Sequence, residues 1–239
     1  MSVYEKIADK YDERYSGDDF AHIEKFLKKF AHKKKVLEAG SGTFRWRRIF
    51  INDVCGVDLS VKMLKRGGGK RVAARAESLP FARETFDFVY IVNALHQFGD
   101  KEKAIREIFD AAAKNAELAI ITPDFHNPQF EWYVYDYFPQ TREKDEKRFA
   151  SREEITTTLS EAGFSKIKAE VFHVTERTFS GAEVFSDKFL AKHNTSQLAG
   201  LSENEYREGL RAIEKVIEKN PEILFRVNIP ALAVTALKV

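Results

Sequence analysis

A single cysteine, Cys55, occurs in the 239 residues of this chain, so no internal disulfide can form. Its neighbours Val54, Gly56 and Val57 mark a buried strand position, and the lack of cross-links suits a reducing, cytoplasmic setting. An excess of either charge is lacking too. With 39 basic and 37 acidic residues the formal charge is only +2, so no global field gathers the chain onto nucleic acid or anionic lipid. The clusters Lys28-Lys29, Lys33-Lys34-Lys35 and Arg45, Arg47, Arg48 read as solvated faces, and nucleic acid is not an expected partner. Long apolar runs are absent: no window approaches the roughly 18 residues of a bilayer span. Met1 to Tyr15 carries alternating charges where a secretory leader needs an apolar stretch, so neither membrane nor export is expected. The histidines at 22, 32, 96, 126, 173 and 193 are scattered, with no paired Cys or His spacing, and no metal site is expected.

Against these absences stands a regular alternation of elements. Tyr4, Ile7, Ala8, Tyr11 and Tyr15 recur at three- and four-residue steps and predict a helix with an aromatic stripe, followed by a second helix near Phe20 to Phe30. Strands and helices then alternate over Lys35 to Glu38, Thr43 to Phe50, Val54 to Asp58, Ser60 to Arg66 and Arg71 to Ala74, the pattern of a parallel sheet. Ser60 can cap its helix and Gly67-Gly68-Gly69 can end it. Phe86 to Asn93 is a continuous apolar strand, Ile105, Ile108, Phe109 and Ala112 form the stripe of the next helix, and Leu118 to Thr122 is another strand. Ser151 with Glu154, and Ser202 with Glu205, have capping-box spacing; Leu201 and Tyr206 are placed for a hydrophobic staple. Ile223 to Val239 alternates β-branched and aliphatic residues, with Pro230 expected at an edge or bulge. Phe179 to Gly200 gives the weakest pattern, and the length suits one domain.

The densest chemistry lies in Val36-Leu37-Glu38-Ala39-Gly40-Ser41-Gly42-Thr43 followed by Gly56-Val57-Asp58-Leu59-Ser60. A strand ends at Glu38, two glycines let the backbone approach a ligand, and Asp58 ends the next strand where a carboxylate can accept both ribose hydroxyls. A dinucleotide fingerprint wants a third glycine three positions after the second, and that position is Arg45. The pattern therefore favours an adenosyl ligand without a pyrophosphate. With Ala76-Glu77-Ser78-Leu79-Pro80-Phe81, Phe86 to Tyr90 through Leu95-His96, and Leu118 to Pro123, it resembles the class I S-adenosylmethionine-dependent methyltransferases.

That resemblance implies an α/β, Rossmann-like three-layer sandwich whose seven-stranded sheet is mostly parallel, with the last strand antiparallel and Phe164 to Val174 forming the closing hairpin with Ile223 to Val239. Residues 1–239 would form one domain, with an N-terminal helical cover over 1–33 and an aromatic lid insertion at about 124–150. It also implies S-adenosylmethionine as donor and S-adenosylhomocysteine as product. Gly40, Ser41 and Gly42 would contact the methionyl group, Glu38 its ammonium, Asp58 the ribose, and Leu59 and Met63 the adenine. Ala76 and Glu77 would lie at the adenine edge, Asn93 at the strand end, and Tyr11 across the methionine end. Two residues depart from the family pattern. Phe44 stands where glycine is common, so the turn is expected tight against the ligand or its ring in the pocket wall. Arg75 replaces an aspartate that would accept from the adenine amino group, a bond arginine cannot make.

The acceptor side rests on fewer residues. His96 follows the fourth strand, and an unperturbed imidazole would suit base work; Asp124 and His126 are weaker candidates. Seven of the fourteen residues from Phe125 to Phe138 are aromatic: Phe125, Phe130, Trp132, Tyr133, Tyr135, Tyr137 and Phe138. They suggest a lid over a small planar or hydrophobic methyl acceptor, with ordinary core or a homodimer contact as competing uses. Noncatalytic adenosyl binding and RNA methylation are the rival functions.

Overall fold

The computed structural model describes residues 3–15 and 20–239. Its strands are β1 (Lys35–Ala39), β2 (Asp53–Asp58), β3 (Lys70–Ala73), β4 (Phe86–Val92), β5 (Ala112–Pro123), β6 (Glu131–Trp132), β7 (Ser165–Ser180) and β8 (Leu224–Leu237). Its helices are α1 (Val3–Ile7), α2 (Ala21–Leu27), α3 (Val61–Arg66), α4 (Lys101–Ala111), α5 (Val134–Tyr137), α6 (Pro139–Arg148), α7 (Arg152–Glu161), α8 (Ser196–Ala199) and α9 (Glu203–Lys219).

The main sheet runs β3-β2-β1-β4-β5-β8-β7. Its first five strands are parallel, and β8 enters antiparallel between β5 and β7. This is the Rossmann-like order expected, with the last strand reversed. Alternation along β4 explains the layering. Val89 and Ile91 face a core with Ile105 and Ile108 of α4 and Leu159 of α7, while Phe88, Tyr90 and Val92 face a core with Ile23, Phe26 and Leu27 of α2. A parallel strand needs cover on both faces, and its near-continuous apolar sequence supplies it.

Several boundaries differ from the sequence expectation. The N-terminal stripe is broken into α1 and a 3₁₀ turn at Tyr11–Tyr15, and the side chain of Tyr15 lies outside the described residues. The segment after Gly42 is a 3₁₀ turn, Arg45–Ile49, instead of an α-helix. Ala112 starts β5 instead of extending the α4 stripe: it pairs with Phe86, while the Asp110 and Ala111 carbonyls accept from Glu84 and Thr85. β7 continues past Val174 to Ser180, paired with β8 as far as Leu224. Pro230 lies beyond the β5 ladder, its carbonyl accepting from Asp124, where the neighbour of β8 changes from β5 to the two-residue β6.

A third core sits on this β7–β8 extension. Trp132, Tyr133, Tyr135 and Phe138 of the aromatic segment are buried with Val184, Leu198 and Ile213. Of residues 179–200 the first two end β7 and the rest include short 3₁₀ turns and α8 packed with α9, held by long-range apolar contacts that local periodicity does not announce. Both capping boxes form, Ser151 with Glu154 and Ser202 with Glu205. Among the described residues no helix is long and apolar enough to cross a membrane, and no cluster of His, Cys, Asp or Glu could hold a metal.

Candidate functional site

Two cavities open at the carboxyl ends of the parallel strands, where ligands of open α/β sheets bind. The first is lined by Glu38, Gly40, Ser41 and Gly42 after β1 and by Asp58, Leu59 and Met63 after β2. Ala76 and Glu77 after β3, Asn93 after β4, and Tyr11 complete it, so the eleven residues singled out in sequence share one enclosure. Gly40 has φ +73°, and a Cβ there would stand 2.4 Å from the Ala94 Cβ; Gly42 has φ +54° and open space before it. Asp58 is fixed by its own turn, accepting from Gly42 N at 2.8 Å and Ser60 N at 2.7 Å.

Phe44 takes the left-handed conformation, φ 59°, which explains why glycine would suit this position. Its ring does not line the cavity, contrary to one sequence expectation. It is buried below the turn against Gly56, where an added Cβ would meet it at 2.9 Å. Glu77 also has a local duty: its Oε1 accepts from Gly99 N at 2.8 Å, Asp100 N at 3.2 Å and Arg75 Nη2 at 3.3 Å. Burial pushes the Glu77 carboxyl up, but its own backbone N–H and those of Asp100 and Gly99 hold it below the ordinary value. Arg75 lines the cavity as Glu77's ion-pair partner, and Trp46 and Gln97 are wall residues that the motif reading missed.

The electrostatics of this cavity are unbalanced. Glu38 is buried, accepts from Tyr90 Oη at 2.8 Å, and is raised well above the ordinary carboxylate range by desolvation. Asp58 is raised by burial as well, against the lowering effect of the Ser60 and Gly42 amides. The hydroxyl of Ser41 is buried without a partner. Met63 is buried, whereas Leu59 is 61% exposed at the rim.

The second cavity meets the first at Tyr4, Tyr11 and Asn93, which line both. Asn93 also has a left-handed backbone, φ 51°, tolerated by asparagine, and its N–H donates to Ile121. Phe125, Phe130, Trp132 and Tyr135 of the aromatic segment line this space, so those side chains serve cavity and core together. His96 lines it too, in a 3₁₀ turn, with its ring stacked on Phe149 at 4.2 Å. Burial, with Arg148, Arg14 and Lys101 nearby, lowers its pKa well below the ordinary value; the imidazole is neutral but a weaker base than the sequence expectation assumed. Its Nδ1 is buried without a partner. Asp124 and His126 lie in neither cavity: Asp124 accepts from Asn127 and Arg152, and His126 Nε2 sits 2.9 Å from Phe149 O.

The N-terminal segment bridges both cavities. Glu5 accepts from Ser60 Oγ at 2.6 Å, Asp12 from Thr43 Oγ1 at 2.7 Å, and Glu13 sits 3.0 Å from His193 Nε2. Tyr4 packs edge-on to Tyr11 with centroids 6.0 Å apart, and burial pushes its hydroxyl up to about 12.

Comparison with known proteins bears on the family and the fold. Residues 37–120 match the family model described as a methyltransferase domain. An uncharacterised protein of Methanocaldococcus jannaschii is 31% identical over 175 residues, 71% of this chain and 84% of its own length. The demethylmenaquinone methyltransferase of Lactiplantibacillus plantarum is 28% identical over 182 residues, 60% of this chain and 75% of its own. Among solved structures, Haemonchus contortus phosphoethanolamine N-methyltransferase 2 in complex with S-adenosyl-L-methionine superposes with a TM-score of 0.60 at 18% identity, over 97% of this chain and 56% of that one.

Proposed function

Since the chain belongs to the class I S-adenosylmethionine-dependent methyltransferases of small molecules, we propose that its first cavity holds the methyl donor and its second a planar or hydrophobic acceptor. The observation that carries this reading is the shared wall: two adjoining enclosures, one polar-ended and one aromatic, which among the described residues meet at Tyr4, Tyr11 and Asn93. A donor and an acceptor in adjoining enclosures need little further motion to align, which is the main contribution a protein makes when the donor is already activated.

The residues of the first cavity suit the donor. The unpartnered Ser41 hydroxyl and the open space before Gly42 leave room and polarity for an amino-acid moiety, and the buried Glu38, whose described neighbours include Tyr90 and Asp58, is placed to receive an ammonium. Asp58 at the end of β2 would accept from ribose hydroxyls, while Met63 and Leu59 would flank the adenine. Ala76 and Glu77 would border that base, Glu77 chiefly by holding the 99–100 turn in place. Bound there, S-adenosylmethionine would supply a methyl group on a cationic sulfur, leaving S-adenosylhomocysteine.

At the shared wall, Tyr4 and Tyr11 would exclude water, and Asn93 would orient the acceptor. His96 stands on the acceptor side as the candidate base; being neutral it can take a proton, but burial limits its strength, which suits an acceptor that is already a good nucleophile. Similarity to demethylmenaquinone methyltransferases supports a planar acceptor.

Calorimetric titration with S-adenosylmethionine and S-adenosylhomocysteine, with NAD as control, tests the donor side. Binding of the first two that weakens at least tenfold in Asp58→Ala is expected; preference for NAD, or indifference to the substitution, would overturn the reading. An acceptor screen read by S-adenosylhomocysteine release then tests the second cavity.

A further inference from the structure

The acceptor cavity has walls rich in hydrogen-bond donors and short of anions. No aspartate or glutamate occurs among its described lining residues, whereas Arg14 and Arg177 both line it. Among the described residues, buried polar atoms with no partner on this wall include Arg177 Nε, Trp132 Nε1 and His96 Nδ1. The first two can only donate. Native proteins leave few such groups unsatisfied, and those they leave call for an explanation.

Strand register brings the two obligate donors together. Trp132 on β6 and Arg177 on β7 both pair with Val227 of β8, one on each side. Cross-strand partners share a face, so both belong to the face of β8 that carries Ile229 and Ala231, two further wall residues. Arg177 is held there rigidly: Asp187 accepts from its Nη1 at 3.3 Å, and its guanidinium lies 4.9 Å from the Phe189 ring centre. Asp187 in turn accepts from Tyr133 Oη at 2.9 Å and Phe189 N at 3.0 Å. Ala231 pairs with Pro123 at the end of β5, and the four residues back to Val227 place the donor pair roughly 14 Å along the strand. The pair therefore marks the end of the cavity remote from Asn93 and the methyl donor.

We propose that the acceptor is an elongated planar molecule with an anionic oxygen group at one end, an aryl carboxylate of at least two fused rings, gripped by Arg177 and Trp132. This rests on the proposed function and specifies its substrate class. The aromatic walls take the ring faces, the two donors take the carboxylate oxygens, and the opposite end of the ring system reaches the shared wall. A charge-assisted pair of this kind discriminates against an uncharged isostere by about tenfold or more.

The test is calorimetric titration of S-adenosylhomocysteine-loaded protein with 6-hydroxy-2-naphthoate and with its uncharged analogue 6-hydroxy-2-naphthamide. The naphthoate is expected to bind at least tenfold more tightly. Arg177→Met combined with Asp187→Asn, which removes both charges of the buried pair, is expected to abolish that preference by weakening the naphthoate far more than the naphthamide. Trp132→Phe is expected to reduce it severalfold, and carries the test should the double variant fail to fold. Equal affinities, preference for the amide, failure of both probes to bind at millimolar concentration, or a preference that survives both variants would overturn the proposal. If S-adenosylhomocysteine itself does not bind, the donor-cavity reading falls, and the same comparison on ligand-free protein still decides the charge preference.

Discussion

Glu38 shows how a ligand site can cost the empty protein stability. Its carboxyl is raised by burial, so the folded protein holds that proton more tightly than the unfolded chain does. The stabilisation is complete below the unfolded value near 4.5 and is lost as pH rises through the elevated folded value. Glu38→Gln, which can still accept from Tyr90, should therefore raise the melting temperature of the ligand-free protein, by a margin that widens between pH 5 and pH 8. The same substitution should weaken S-adenosylmethionine about tenfold. Melting curves across pH and one titration check both halves; a margin that narrows with pH would refute the linkage. Phe44 presents the opposite trade. Phe44→Gly relieves a left-handed backbone worth about 1 kcal/mol but empties a buried ring site worth about 3–5 kcal/mol. Urea unfolding should show a net loss of about 2 kcal/mol or more.

At the scale of elements, α9 and the N-terminal segment make contrasting cases. Gly209 lies within α9, where alanine would ordinarily gain about 1 kcal/mol of helix propensity. Here a Cβ would stand 2.1 Å from the ring of Phe138, itself 1% exposed and without room to retreat. Gly209→Ala should therefore destabilise by about 1–2 kcal/mol in urea. The segment from Tyr4 to Glu13 is fastened by Ser60, Thr43 and His193 at its surface-facing carboxylates. Glu5→Ala with Asp12→Ala should raise the KM for S-adenosylmethionine severalfold, with only a small fall in melting temperature because such half-buried ties contribute modestly to stability. Elements of this sort differ in how far the sequence discloses them. β1, β2 and the Glu38-to-Asp58 turn are legible because local spacing dictates both backbone and chemistry. The start of β5 is not, since Ala112 fits a helix stripe until its pairing with Phe86 is known. Nor are the duties of Glu77 or of Trp132 and Arg177, which depend on a distant turn and on register across β8. The buried imidazole of His96 likewise differs from its sequence reading because burial, with Arg148 and Arg14 from distant parts of the chain, depresses its basicity.

For the whole molecule, β8 is the shared member of both halves, pairing with β5 beside the Rossmann-like strands and with β6 and β7 beneath the third core. Trp46 and Trp132, the two tryptophans of the chain, report on those halves separately. Single-tryptophan versions, Trp46→Phe and Trp132→Phe, should show coincident urea transitions once each is corrected for its own stability; two separated transitions would show that the halves unfold independently. The reversed placement of β8 also orders events during synthesis. Its residues leave the ribosome after every strand they join, so β5 waits with an open, apolar edge while more than a hundred further residues are made. A nascent chain stalled within that interval exposes an edge ready to pair with a neighbouring chain, and the final strand serves this protein as its protection against aggregation.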